Sequence, residues 1–331
     1  MVVRRLLIGV FVMWGAASVI FVIVRAAPGD PAAVFLGPDA SKEQIDRLTA
    51  ALGLNRPLYE QYFGYLGDVL RLDFGQSYRL GRPAMDAVLE RLPATIDLTL
   101  TATVIAVVVG LVLGLIAGSR SGGVVDRVVS AATIALQSFP TFWVGIMLVL
   151  TFALGLRLLP SAGVGTPAHL VLPAVTLAFP FTAIVARLTR SSVTEAMREP
   201  YVQTARSKGL TERQVLLGHA LRNSLIPVVT IVGLQMGALM GGAVIVENVF
   251  AWPGLGSLVV DAVANRDYAV VQAVTLLIAE HRHGAQHRRR RVLHPAGPAH
   301  PYGGRVMSEL ASESWTQADR ERPHRTREGM S

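Results

Sequence analysis

The chain has 331 residues, 51% of them hydrophobic and only 16% charged, with a mean hydropathy of +0.44. Soluble domains carry about 25% charged residues, so the composition points to a membrane chain rather than a soluble enzyme. There is no cysteine, which excludes a disulfide framework or a thiolate metal site, and the net charge of +8 fits positive-inside loops and a basic tail without any nucleic-acid partner.

A bilayer core needs about 20 apolar residues in a helix. Residues 6–24 supply the first span, with Arg4 and Arg5 in front of it. The apolar run is too long for a signal peptide, and no small-residue cleavage site closes it. Residues 1–25 are therefore an N-terminal transmembrane helix and 26–94 a small helical external domain, amphipathic around Ile45, Leu48 and Leu52. Spans follow at 96–117, 128–154, 170–186 and 225–246, and an external loop at 248–268. A sixth apolar run starts at Val270 and stops near Ala279, far too early to cross. The expected fold class is an all-α polytopic helix bundle. Its core is 95–279 and its basic loop 187–222, with the N-terminus in the cytoplasm because Arg187, Arg190, Arg198, Arg206, Lys208, Arg213 and Arg222 then fall inside.

Gly110, Gly114 and Gly118 recur at four-residue spacing in one span, and Gly233, Gly237 and Gly241 in another. Such stripes let a second backbone approach closely, so they are read as helix-packing faces. Pro140, Pro173, Pro180 and Pro227 lie inside spans and remove ladder hydrogen bonds there. Asp97, Gln137, Thr176 and Gln235 are the polar residues expected within the spans. The spans show no chain of Lys, Arg, Glu or His, which argues against an ion-coupled carrier. No phosphate-binding loop and no nucleophile–base pair emerges, so energy must come from elsewhere and no catalytic or cofactor-binding residue is assigned.

The segment EPYVQTARSKGLTERQVLLGHALRNSLIP, residues 199–227, is a basic, helix-forming loop between two spans. Gln203, Thr204 and Ala205, followed after three residues by Gly209, resemble the EAA loop of ABC-importer permeases. Gln replaces the Glu of that motif and Thr its first Ala. The distance to Pro227 resembles the dipeptide, oligopeptide and nickel branch. PGDP at 28–31, LGLNRPLYEQY at 52–62, DFGQSY at 73–78, RLPATIDL at 91–98, ENVFAWPGLG at 247–256 and NRDYAVVQ at 265–272 are similar to that branch in order. The subunit resembled is the first of two permeases, the one with a large external loop.

The resemblance implies a multi-pass subunit of the bacterial cell membrane that works with a second permease, two ATPase subunits and an extracytoplasmic solute-binding protein. It implies import of peptides, related small solutes or nickel, with ATP hydrolysis in the partners and no cofactor of its own. Tyr201, Gln203, Thr204, Ala205, Lys208, Gly209 and Leu210 would then contact the ATPase. On the residues alone, a membrane receptor or scaffold that grips a cytoplasmic partner by the same loop stays open.

Residues 280–331 depart from that family, which completes a sixth helix and ends in an Asp-Pro-Arg-Ile-Arg-like tail. Here HRHGAQHRRRRVLHPAGPAHP follows, and its arginine run does not suit hydrocarbon. His281, His283, His287, His294 and His300 show no regular metal-ligand spacing. A frameshift accounts for the segment. Back-translated and read one base later from Glu280, it is compatible with NIVTVLNIVVDVFYILLDPRIR. Val306-Met307 permits GTGATG, a stop overlapping a start, so Met307 would open a neighbouring gene. The tail as written is expected to lack a packed structure.

Overall fold

The computed structural model describes residues 2–278 apart from 27–32, 34–35, 38–39, 52 and 78. The PGDP segment and the reading of 280–331 as a shifted frame fall outside the described residues. Helices dominate: α1 (Val2–Ala26), α2 (Lys42–Ala51) and α3 (Leu58–Leu70) precede one small hairpin. In it Gln76–Ser77 pairs antiparallel with Arg82–Pro83, Ser77 opposite Arg82. Then come α4 (Ala84–Ser119), α5 (Val124–Ser138), α6 (Thr141–Gly155), α7 (Ala168–Ala196), α8 (Pro200–Ser207), α9 (Glu212–Val249), α10 (Leu255–Ala264) and α11 (Tyr268–Ile278). α4, α7 and α9 are each long and apolar enough to cross a bilayer. α1 carries an apolar stretch at Gly9–Ile23, and α10 and α11 are shorter apolar helices.

The structure corrects several sequence expectations. The span expected at 128–154 is broken: α5 and α6 meet at 100°. Pro140 lacks a donor and its ring forbids the helical conformation to Phe139, which is extended at φ −85°, ψ 132°. Pro173, Pro180 and Pro227, by contrast, lie inside α7 and α9 without ending them. α4 begins at Ala84, so the last residues assigned to the external domain are its first turns. At 1.5 Å per residue its 36 residues reach roughly 54 Å, well beyond a hydrocarbon core. α7 likewise continues to Ala196, past the expected end at 186, and the expected loop 248–268 contains α10. α2 and α3 bury no residue fully, and among the described residues no buried apolar cluster lies wholly between α1 and α4. Instead α3 leans on α1: the Tyr62 and Ser18 hydroxyls are 2.6 Å apart, and Tyr65 stacks on Phe21.

The main core lies where α4, α7 and α9 meet. Leu98, Ala102 and Ala106 of α4 pack with Leu177, Phe181 and Val185 of α7 and with Val228, Leu239 and Ala243 of α9. Lipid tails are as apolar as these side chains, so close packing must hold the helices together. The α4 glycines provide it. A Cβ on Gly110 would stand 2.7 Å from Val185 Cβ, one on Gly114 2.4 Å from Thr189 Cβ, and one on Gly118 2.9 Å from the Arg190 carbonyl. The α9 stripe is different: nothing comes within 4 Å of a Cβ on Gly233, Gly237 is buried, and Gly241 is exposed.

Gly114→Val should therefore wedge α4 from α7. Overpacking of this kind costs about 1–3 kcal/mol, so the thermal midpoint in detergent should fall by several degrees. Gly233→Ala, with open space around it, should leave the midpoint unchanged or raise it slightly; equal midpoints for the two variants would contradict the packing described.

Candidate functional site

Two structured ends cap the α4–α7–α9 bundle. The first is the hairpin formed by the end of α7, α8 and the start of α9. Pro200 opens α8 at a position where its missing N–H costs nothing, and the preceding Glu199 is extended at φ −70°, ψ 148°. Val202 and Ala205, three residues apart, share one face and bury against Val215 of α9, with Met197 and Leu210 beside them. The opposite face, Tyr201, Gln203, Thr204, Ser207 and Lys208, is exposed.

Gly209 turns the chain. Its φ of +80° lies in the left-handed region, and no atom comes within 4 Å of where a Cβ would stand, so the demand for glycine is conformational. The Gly209 N–H donates to the Arg206 carbonyl at 2.9 Å. Thr211 then starts α9 with a capping box: its N–H donates to Gln214 Oε1 at 2.9 Å, and the Gln214 N–H to Thr211 Oγ1 at 3.4 Å. Arg206 adds a bidentate pair to Glu212, at 2.7 and 3.1 Å. Being exposed to water, that pair fixes geometry more than it stabilises.

Near the end of α7, Asp126 of α5 ties the turn before α5 to α7. This carboxylate, almost wholly buried, pairs with Arg190 of α7 through Nε and, at 2.8 Å, Nη2, and accepts from the Gly122 N–H at 2.8 Å. A cleft of ≈ 370 Å³ beside it is lined by Arg190, Thr194, Arg198 and Glu199.

The opposite end is closed by Glu247, which is fully buried. Thr95 Oγ1 of α4 donates to its Oε1 at 2.7 Å, and the Gly256 and Ser257 N–H groups at the start of α10 donate to Oε2 at 2.6 and 3.0 Å. Thr95 Oγ1 in turn accepts from the Leu255 N–H at 2.8 Å, and Trp252 Nε1 donates to the Ala94 carbonyl at 2.9 Å. One carboxylate thus ties α9, α4 and the N-terminus of α10. A side chain on Gly254 would meet Glu247 Oε1 at 2.2 Å.

Of the residues expected to contact a partner, Tyr201, Gln203, Thr204, Lys208 and Gly209 are together on the exposed side. Ala205 is buried and Leu210 half-buried, so these two brace the hairpin from inside. The apolar spacing of Val202 and Ala205 within a polar helix was the available signal for that division. Sequence reasoning missed the roles of Asp126 and Glu247. Glu247 stood in plain view inside ENVFAWPGLG, but nothing local says that its partner is 152 residues away. Within the spans, Asp97 and Gln137 are exposed, Thr176 donates back to the Leu172 carbonyl, and Gln235 lines a cleft of ≈ 180 Å³ with Thr141, Pro180 and Gly242. Among the described residues no cluster of His, Asp and Glu could hold a metal ion.

Comparison with known proteins places this architecture. Residues 110–279 match the binding-protein-dependent transport system inner membrane component family, and residues 1–99 match the N-terminal family of the same components. A probable peptide ABC transporter permease of Sinorhizobium fredii is 40% identical over 286 residues, 84% of this chain and 91% of the relative. The glutathione transport system permease protein of Escherichia coli is 41% identical over 278 residues, with the same coverage. Among solved structures, the MetNI methionine ABC transporter aligns over 63% of this chain and 95% of its own with a TM-score of 0.51 at 19% identity, a likeness of fold alone. An all-α bundle with several apolar helices, matched by both families along most of its length, belongs to the binding-protein-dependent transport system inner membrane components: it is a multi-pass inner-membrane permease of an ABC importer, the non-catalytic subunit that works with the system's other subunits.

Proposed function

We propose that this permease pairs with a second permease to form the translocation path of a peptide importer. Its hairpin docks on one of two ATPase subunits, and an extracytoplasmic solute-binding protein delivers the solute to the far end. The observation that carries the docking surface is the braced hairpin: five exposed residues on a short helix fixed by its own small core, a left-handed glycine and a capping box. A helix held this way transmits a push instead of absorbing it. The names of the two relatives, one for peptides and one for glutathione, support the peptide class. The N-terminus and hairpin are placed in the cytoplasm by the basic residues around them, with 26–83 outside.

Gly209→Val should lower ATP-driven uptake about tenfold or more, because a β-branched residue at this φ costs about 1–2 kcal/mol or more and displaces the α8 face. Gly209→Asn, which tolerates the left-handed region, should retain most uptake. Uptake by the valine variant equal to that of the parent would refute the docking role. Topology is checked with a cysteine at Ser41, which should react with an impermeant maleimide from outside intact cells; labelling only after permeabilisation would invert the orientation.

The residues after 279 carry a separate proposal. The family match ends at residue 279, and the one-base-shifted reading supplies an apolar stretch and a basic tail directly after it. We infer that a single-base frameshift separates residues 280–331 from the family's ending. Resequencing the gene should reveal one base whose correction restores NIVTVLNIVVDVFYILLDPRIR. The corrected chain should then accumulate in membranes at several-fold higher level than the chain as written. An unchanged DNA sequence, with no open frame starting at Met307, would end this reading.

A further inference from the structure

α3 sits where a solvated loop helix would not. Arg25 stands just past the apolar run of α1, and Ser18 lies seven residues earlier, roughly 10 Å deeper at 1.5 Å per residue. The Tyr62 hydroxyl reaches that Ser18 hydroxyl, so the side chains of α3 extend below the level of Arg25. Its outward side is apolar: Tyr59 is 64% exposed, Phe63 68% and Leu70 86%. Val19, Val22 and Ile23 of α1 are exposed alongside. An aromatic, apolar face at the end of a span is the pattern of a helix seated in the interface between hydrocarbon and headgroups.

Between α3 and the end of α1 lies a cavity of ≈ 340 Å³. Two guanidinium groups, Arg25 and Arg56, and three carboxylates, Glu60, Asp68 and Asp73, line it. Arg25 Nε, Gln61 Oε1 and Tyr65 OH, all in its wall, are buried without a hydrogen-bond partner among the described residues. So is Tyr268 OH, in the same side-chain cluster as Tyr65. Six such atoms occur among the described residues, and four of them gather here. Unsatisfied buried polar groups are uncommon, and such a gathering marks a place that a polar ligand completes. Burial pushes the Tyr65 hydroxyl up to about 12, so it remains a donor at neutral pH.

We propose that this cavity seats the headgroup of a zwitterionic phospholipid from the leaflet that meets this end of α1. Arg25 and Arg56 hold the phosphate, joined by the Tyr65 hydroxyl, because guanidinium forks match phosphate oxygens. Asp68 and Asp73 take the ammonium; Asp73 accepts from the Gly75 N–H at 3.0 Å with one oxygen, and its other oxygen accepts from no described residue. The acyl chains run along the apolar faces of α1 and α3. Three carboxylates against two guanidiniums disfavour an anionic headgroup, and the apolar flanks favour a lipid over a free zwitterion.

The test uses the full chain in nanodiscs that contain phosphatidylethanolamine and phosphatidylglycerol, with retained lipid counted by native mass spectrometry. One phosphatidylethanolamine should remain bound. Arg25→Gln should lower its retention about tenfold. Gly64→Leu is the independent variant: Gly64 lines the cavity, and no atom lies within 4 Å of its Cβ position, so a larger side chain can be introduced at the cavity wall without a clash at its Cβ. It should also lose the lipid while keeping the parent's thermal midpoint. Unchanged retention in the correctly folded Gly64→Leu protein would overturn the proposal. So would equal retention of phosphatidylglycerol, or displacement of the lipid by a free dipeptide, which would make the cavity a solute site.

Discussion

Everything in this bundle depends on the approach of α4 to α7. Inside a bilayer, burying apolar side chains yields little, because the surrounding tails are equally apolar. What remains is backbone-to-backbone contact, and that requires small residues at the crossing. Gly110, Gly114 and Gly118 meet Val185, Thr189 and Val193 so closely that no Cβ fits. Val185, Thr189 and Val193 are β-branched and therefore stiff, so each presents a fixed ridge to a fixed groove. Arg190, between Thr189 and Val193 on α7, adds an ion pair to the buried Asp126 of α5 beside the last glycine contact.

The two capped ends solve one problem with different chemistry. At the Glu247 end, the start of α10 would leave N–H groups unsatisfied in a buried setting. A carboxylate from α9 accepts two of them and a threonine from α4 accepts a third, so three helices share one network. At the hairpin end the start of α9 is exposed, and its own Thr211 and Gln214 suffice. The buried end borrows partners from distant helices; the exposed end is capped from within four residues of its own chain.

How much of this was legible follows from that contrast. Features set by local chemistry could be read: the string around Gly209, the glycine spacing of α4, the apolar runs. Features set by distant partners could not. The α4 and α9 glycine stripes look alike in sequence, yet α7 fills one, while at Gly233 no described residue comes within 4 Å of a Cβ position. Four prolines looked equivalent, and only at Pro140 does the described chain turn by 100°. Nothing in the sequence around Leu58–Leu70 indicated that its aromatic residues pack on α1, because that contact too is distant along the chain. The family could be recognised because its motifs are local strings; the pairing of Glu247 with Thr95 and of Asp126 with Arg190 could not, because each closes a contact across dozens of residues.

The arrangement constrains how a push on the hairpin can travel. α8 cannot slide alone, because Val202 and Ala205 are locked against Val215 at the root of α9 and Met197 at the foot of α7. α7 cannot move without α4, because the glycine contact leaves no room for shear. α9 cannot leave α4 at the far end without stranding the Glu247 carboxylate in a dry environment, a cost of several kcal/mol. Displacement of the hairpin therefore carries α4, α7 and α9 as one body. Outside this network lie the bend at Phe139–Pro140 and the face of α9 at Gly233, where no described residue comes within 4 Å of a Cβ position. Packing this close resists internal deformation, because each glycine contact would have to open before α4 and α7 could shift.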